Sequence, residues 1–420
     1  MHNNCKIVCP VHNLFIYNLR NLHENYKGYL LYLNIVKVGM YTRLPERRCS
    51  MAEQRKKIDV VSDFSYDSEN RSWNRAYRQW RRTNRAKYMY HYQGNRNEIS
   101  YVDGNAVSKP GARIVEQKAL ANCAEIIGLA LLVNLITQLV CSTVFVGLLR
   151  LFGAEIRLDL LNMSVSGNRL AVTAVRMLIR LLKYCIPAAV LIRGCRIPRS
   201  VAAPVSFGGL PESILAVGAA MITAGIYALT AQDAGISTAQ EIFTYNSKWT
   251  IMAYAVFDVF FVSVAAELLL RGTMLTLLRQ YGDTFAIAAS AVIAFLLPNT
   301  LSDRISELLI ALISGYLFLR AGSLAKCILL RMVCSALCYA RLILVYANRA
   351  IPIWQYAFLL IATGTVAAAF FVRIRKEKIR LRNRETELKD GSKMFIMSQT
   401  LTMLPWIGLS VLLLLFQIFL

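Results

Sequence analysis

Charged residues are scarce in this chain, and histidine is scarcer still. Only 17% of the 420 residues are charged and 56% are hydrophobic, whereas soluble domains have about 25% charged and roughly 45–50% apolar residues. The four histidines, His2, His12, His23 and His91, all precede the first long apolar run. The composition excludes a single soluble globule, a collagen-like fibre and a fully disordered chain. The lack of imidazole in the apolar part excludes most metal sites and general bases there.

Long apolar runs fill the chain from about Cys123 onward, and their lengths suit a bilayer core of about 30 Å. We therefore predict an all-α, polytopic transmembrane bundle of about eight to nine spans. The predicted spans are 123–149, 171–193, 211–230, 249–270, 284–301, 305–320, 324–347, 353–373 and 400–420. A basic stripe in the second span, formed by Arg176, Arg180 and Lys183, is expected to meet protein or reach the interface.

The distribution of Lys and Arg between the loops predicts the orientation. Basic residues crowd the connections near 193–199 and 373–393, while residues 231–245 contain none. By the positive-inside rule the first two connections and the N-terminal region are cytoplasmic, and 231–245 and Leu420 lie outside. The formal charge of +23 thus describes topology, and we expect an integral protein of a bacterial plasma membrane.

The distribution of charged and apolar residues divides the chain into four predicted regions. They are a basic, aromatic-rich, largely polar cytoplasmic region at 1–118, upstream spans at 119–245, a core at 246–348, and a C-terminal pair of spans at 349–420 with the basic loop 373–393. Residues 1–50 would not be translated if Met51 is the initiator. Cys5, Cys9 and His12 resemble half of a zinc site, but a second ligand pair at finger spacing is missing.

Residues 71–96 interleave aromatic side chains with arginines. Such a segment can stack on single-stranded nucleic acid, or it can bind anionic lipid beside a membrane span. We favour anionic lipid over nucleic acid, because the segment adjoins the first span.

Charged side chains inside spans are candidate functional groups, since their burial in a membrane is costly. Glu267 and Arg271 are four residues apart and can form an ion pair on one helix face. Asp258 lies nine residues before Glu267, about half a turn out of phase, so the two acids are not expected to converge. Asn299 and Arg331 also interrupt apolar runs.

Three stretches around these residues, AELLLRG at 266–272, SAVIAFLLPN at 290–299 and ISGYLFLRAGSLAKCILLR at 313–331, resemble the CPBP family of intramembrane proteases. This family includes CAAX prenyl proteases and bacteriocin-processing proteases, and the resemblance extends over Lys248 to Asn348. It implies a helical bundle with motifs EExxxR, FxxxH and HxxxN or HxxxB. In the family the first glutamate activates water, the histidines position it or bind a metal, and the asparagine helps to stabilise the oxyanion.

Most of the family's catalytic residues are replaced in this chain. The first glutamate corresponds to Ala266, whereas Glu267 and Arg271 match the rest of that motif. The other replacements put Asn299 and Arg331 at the positions of the histidines and Ser335 at that of the asparagine. Scaffold positions Gly272, Gly315 and Gly322 to Leu324 are kept. We expect Arg331 to balance the charge of Glu267, so that a structural ion pair replaces the catalytic centre.

Three functions remain open. The first is a non-catalytic CPBP-like protein that binds or scaffolds a membrane protein or peptide. The second is an active intramembrane endopeptidase with a rearranged centre built on Glu267, and the third is a transporter or membrane-assembly component. We expect no cofactor and no family-type metal ion, and we expect the lipid bilayer, with anionic lipid at the basic segments, as a partner.

Overall fold

The computed structural model describes residues 68–90, 99–102, 105–108, 111–159, 164–206, 209–230, 248–298, 301–346, 351–374 and 388–419. The chain divides into two units, Met1–Val61 and Ser62–Leu420, and every described residue belongs to the second. The possible start at Met51, the half zinc site, the loop 231–245 and the four histidines therefore lie outside the described residues, as do Asn299, most of the loop 373–393 and Leu420.

Helices make up most of the described chain. Twelve helices are numbered here in order: α1 Arg71–Thr83, α2 Ala112–Leu151, α3 Arg169–Gly194, α4 Arg199–Ala202, α5 Leu210–Thr230, α6 Trp249–Tyr281, α7 Asp283–Leu296, α8 Leu301–Ala321, α9 Leu324–Tyr346, α10 Ile353–Ile374, α11 Asp390–Ser398 and α12 Met403–Phe419. Two short antiparallel hairpins, β1 Ile99–Val102 with β2 Asn105–Ser108 and β3 Ile156–Asp159 with β4 Ser164–Gly167, precede α2 and α3. The fold is thus helical apart from these hairpins, which the sequence reading did not predict.

Four described helices, α2, α5, α6 and α10, are long and apolar enough to cross a membrane. A fifth candidate joins α11 and the first part of α12, which meet at a bend of 85°. The 14-residue α7 is shorter than the predicted span 284–301. By contrast α8 has 21 residues and extends the predicted span 305–320 at its N-terminal end, where Asp303 and Arg304 had shortened the apolar run. An all-α membrane fold is therefore confirmed with four to five candidate spans among the described residues.

The N-terminal helix α1 packs against the bundle through its aromatic face. Its side chains Trp73, Tyr77 and Trp80 are buried. The indole of Trp73 donates to the backbone carbonyl of Val201 at 3.1 Å. The hydroxyl of Tyr77 donates to the backbone carbonyl of Thr276 at 3.0 Å. This part of the predicted polar region is therefore integrated into the bundle, and α2 begins at Ala112, before the predicted boundary at residue 118.

Residues that follow α1 cover the turn after α3. Cys195 is fully buried there, and its carbonyl accepts a hydrogen bond of 3.0 Å from the hydroxyl of Tyr88. Burial raises the pKa of the Cys195 thiol to about 12. Since the thiolate is the reactive form of cysteine, this side chain is held in its unreactive state at neutral pH.

Helices α5 and α10 form the most extensive helix pair, and glycines allow their backbones to approach closely. A methyl group on Gly364 would lie 2.6 Å from the carbonyl oxygen of Gly218 and 3.0 Å from the backbone nitrogen of Ile222. Small residues at such a crossing are typical of membrane helix pairs, because association in lipid depends on close packing.

Replacement of Gly364 by Ala is expected to lower the thermal unfolding temperature of the chain in detergent, because the added methyl group meets backbone atoms. Such overpacking costs about 1–3 kcal/mol. Gly147→Ala in α2 is the matched control, since no described atom lies within 4 Å of the added group. An equal loss of stability in both variants would contradict the packing described for α5 and α10.

Cys195 is expected to resist alkylation in the folded chain at pH 8 and to react once the chain is unfolded. Relative to a thiol of the ordinary pKa of 9.0, its thiolate population is lower by about three orders of magnitude. Burial of the side chain also keeps the reagent from the thiol. Site-resolved mass spectrometry of the alkylated peptides measures this, and modification of Cys195 at the rate of an exposed cysteine would rule out the buried position.

Candidate functional site

The candidate site is centred on a part of α6 that departs from regular α-helix. Residues Asp258–Val262 and Leu268–Leu275 are π-helical, and Ser263–Glu267 between them is α-helical. The hydroxyl of Thr276 donates to the carbonyl of Arg271, five residues earlier, at 2.9 Å. This side-chain bond suits the wider π turn, and π-helical turns occur frequently at functional sites.

Glu267 and Arg271 face the protein interior from α6. Both residues and the neighbouring Ala266 are fully buried. The Nε atom of Arg271 lies 3.5 Å from Oε2 of Glu267, so the predicted ion pair within the helix is present. The two terminal nitrogens of Arg271 make no hydrogen bond to any described residue.

Arg331 reaches the same carboxylate from α9. Its Nε atom donates to Oε1 of Glu267 at 2.7 Å. The structure thus brings together three of the residues singled out in the sequence, namely Glu267, Arg271 and Arg331. The position at which the CPBP family has a histidine holds a guanidinium group against the remaining motif glutamate.

A second acid, Glu307 on α8, completes the cluster and was missed in the sequence. Arg331 binds it with both terminal nitrogens: Nη2 donates to Oε2 at 2.7 Å and Nη1 donates to Oε1. Glu307 lies inside an apolar run, so the rule that flagged Glu267 would also have flagged it. The bidentate geometry is the strongest form of an arginine–carboxylate pair.

The four charged groups of this cluster, which we call the Arg331 network, are Glu267, Arg271, Glu307 and Arg331. Two positive and two negative groups balance formally, and they connect helices α6, α8 and α9. In an interior of low dielectric, a buried ion pair whose partner is removed leaves an uncompensated charge at high cost. The network therefore couples the relative positions of three helices to its own charge balance.

Two further residues singled out in the sequence, Ser335 and Asn299, are not part of the network as described. Ser335, one turn beyond Arg331 on α9, is half-buried and makes no side-chain hydrogen bond to a described residue. Asn299 lies outside the described residues, and Phe295, four residues before it, is half-buried in α7.

Asp258 has partners of its own in a second polar cluster. Its carboxylate lies 3.3 Å from Nε of Arg180 on α3 and accepts a hydrogen bond of 2.9 Å from the hydroxyl of Tyr339 on α9. Arg180 also donates to the hydroxyl of Tyr254 at 2.9 Å. Arg180 of the basic stripe thus meets protein, and Asp258 and Glu267 bind different groups, in agreement with their helical phase.

Scaffold residues that match the family motifs lie at close helix contacts. A methyl group on Gly272 would lie 2.4 Å from the carbonyl oxygen of Ala202 in α4. The hydroxyl of Ser323, in the turn between α8 and α9, donates to the carbonyl of Ser206 at 2.9 Å and accepts from its amide at 3.1 Å. The short segment before α5 is therefore fixed beside the end of α6 and the start of α9.

The residues of the cluster do not fit a metal ion. Within the described ranges no group of three or more His, Cys, Asp or Glu side chains is placed to hold one. Both carboxylates of the network face arginine nitrogens instead. No chemical step at this site is therefore assigned to a metal ion.

The apolar helices indicate an integral membrane protein, and the Arg331 network gives it a buried polar site. Residues 248–337 match the family described as type II CAAX prenyl endopeptidase Rce1-like. This range includes all four residues of the Arg331 network. This part of the chain is an Rce1-like domain, and the resemblance to the CPBP family is thereby confirmed. No curated protein and no solved structure matches the chain.

Replacing Arg331 by Met is expected to destabilise the bundle by about 3–5 kcal/mol, because Glu267 and Glu307 then share only the charge of Arg271. Replacing Arg331 and Glu307 together by Met removes one charge of each sign and leaves the Glu267–Arg271 pair, so the double variant is expected to be more stable than the single one. Denaturant unfolding in detergent measures both.

The exposed Arg193 at the end of α3 provides the control for this pair of variants. Its replacement by Met is expected to change the free energy of unfolding by about 0.5 kcal/mol at most. An Arg331→Met variant as stable as the control, or a double variant no more stable than the single one, would sink the account of a charge-balanced network.

Proposed function

We propose that this chain is a non-catalytic member of the Rce1-like group, an integral membrane protein whose bundle binds or scaffolds a membrane protein or peptide. The observation that carries the proposal is the contact of 2.7 Å between Arg331 and Glu267. A histidine at this position would leave a group able to exchange protons near neutral pH, whereas arginine stays protonated in proteins.

The chemistry of amide hydrolysis supports the same proposal. That reaction requires a base that takes a proton from water and a donor directed at the developing oxyanion. Ala266 offers no base. Glu267 is the nearest acid of the motif, and its two oxygens lie 2.7 Å and 3.5 Å from arginine nitrogens. The role of Glu267 in our proposal is to hold α6 against α9.

The proposed protein crosses a bacterial plasma membrane with about eight to nine spans, its N-terminal region in the cytoplasm and its C-terminus outside. Besides the apolar helices, α3, α7, α8 and α9 supply the additional spans. Their interior charges pair inside the bundle: Arg180 of α3 with Asp258, and Glu307 of α8 with Arg331 of α9. Paired charges that face the bundle interior are compatible with spanning helices.

The proposed site works without a metal ion or another cofactor. Both network carboxylates are occupied by Arg331, and the sequence has no histidine after His91. The metal ligands of the protease family therefore have no counterpart in the motif positions of this chain.

The full chain in proteoliposomes is expected to leave a farnesylated CAAX peptide intact, because no motif residue can deprotonate water. Release of the C-terminal tripeptide is measured by chromatography, with an active CAAX endopeptidase assayed in parallel. The variant Glu267→Gln keeps the size of the side chain and removes its basic form, so it serves as the matched comparison.

Tripeptide release by the unmodified chain that disappears in the Glu267→Gln variant would overturn the proposal. That result would instead establish the active endopeptidase with a rearranged centre. Release of equal size in both preparations would point to a contaminating protease, and repetition with the repurified chain then decides the matter.

A further inference from the structure

Helix α1 has an aromatic face and a basic face. Its aromatic side chains point into the protein, and Trp80 donates to the carbonyl of Arg196 at 3.0 Å. The opposite face carries the exposed side chains of Arg71, Arg75 and Arg82. The sequence Arg71–Thr83 contains no acidic residue. The exposed face of α1 is therefore cationic, with its aromatic residues unavailable to solvent.

Neighbouring segments extend this cationic face. Trp80 links α1 to the turn after α3, and Asn122 of α2 donates to the carbonyl of Lys87 at 3.3 Å. We call the combined surface the basic end surface and define it by the exposed side chains of Arg71, Arg75, Arg82, Arg85, Lys87, Arg113, Lys118, Arg193, Arg196 and Arg199. Within 68–90, 111–120 and 193–200, Glu69 is the one exposed acid, and Glu116 is buried.

The basic end surface lies where spanning helices end. Asn70 donates to the carbonyl of Gly322, between α8 and α9, at 2.8 Å. The backbone of Tyr90 donates to the side chain of Gln280, next to the end of α6, at 3.0 Å. Because the apolar helix α6 ends at Tyr281, we expect the exposed arginines of α1 to lie near the lipid headgroups.

We propose that the basic end surface binds the phosphate groups of anionic phospholipids in the leaflet on which α1 is docked. The charge is complementary, and guanidinium groups bind phosphate in a bidentate manner. Single-stranded nucleic acid would need exposed aromatic side chains for base stacking. Trp73, Tyr77, Trp80 and Tyr88 are buried against protein instead, which favours the lipid over the nucleic acid.

The test compares the thermal unfolding temperature of the full chain in neutral detergent with added phosphatidylglycerol or phosphatidylcholine. Phosphatidylglycerol is expected to raise it more than phosphatidylcholine, and high salt is expected to reduce the difference because exposed charges are screened. The double variant Arg75→Gln/Arg82→Gln is expected to lose most of this difference. The matched control is Arg150→Gln/Arg157→Gln, whose exposed arginines lie at the other end of α2 and just beyond it.

Two further ligands, inorganic phosphate and a single-stranded oligonucleotide, test whether the bound phosphate group belongs to a lipid. Inorganic phosphate is expected to have little effect, and so is a single-stranded oligonucleotide. A shift of equal size in the two double variants would overturn the proposal, as would a shift reproduced by inorganic phosphate alone. A larger shift with the oligonucleotide that requires Arg75 and Arg82 would replace the lipid by nucleic acid. None of these measurements depends on peptidase activity, so their outcome is independent of the test of the proposed function.

Discussion

One guanidinium group, that of Arg331, holds two carboxylates that belong to two other helices. Each of these charges would be expensive alone in an apolar interior, and the cluster is tolerable because opposite charges face each other at hydrogen-bond distance. The bonds of Arg331 to Glu267 and Glu307 fix how far α6 and α8 are shifted along their axes relative to α9. Apolar packing in lipid has little directional preference of its own, so a network of this kind specifies which helix faces meet.

The packing of the Rce1-like domain depends on residues other than the four charged ones of the Arg331 network. The Rce1-like domain keeps the glycine and serine contacts that position α6, α8 and α9, such as Gly272 against α4 and Ser323 against Ser206. The motif positions are filled instead by a methyl group at Ala266 and a permanent cation at Arg331. Packing depends on small residues at helix crossings, whereas hydrolysis depends on groups that exchange protons, so in our proposal the fold persists without the reaction.

Local features could be predicted from the sequence, and tertiary ones only partly. Apolar runs located the helices, and the spacing of four residues predicted the pair of Glu267 and Arg271. The position of Arg331 opposite Glu267 followed from the motif resemblance. Glu307 could have been flagged as an acid within a predicted span, but its bond to Arg331 could not be predicted, because the contact depends on how α8 and α9 pack. The aromatic residues of α1 have a composition equally suited to lipid, nucleic acid and protein, so their burial could not be predicted from local sequence.

The bond between Asn70 and Gly322 joins residues that are 252 positions apart. A ribosome completes α1 long before it makes the turn between α8 and α9, and several apolar helices are synthesised in between. This bond can therefore form only after the turn between α8 and α9 has been made, whereas the bonds of Trp73 to Val201 and of Trp80 to Arg196 can form much earlier, so α1 docks in at least two stages.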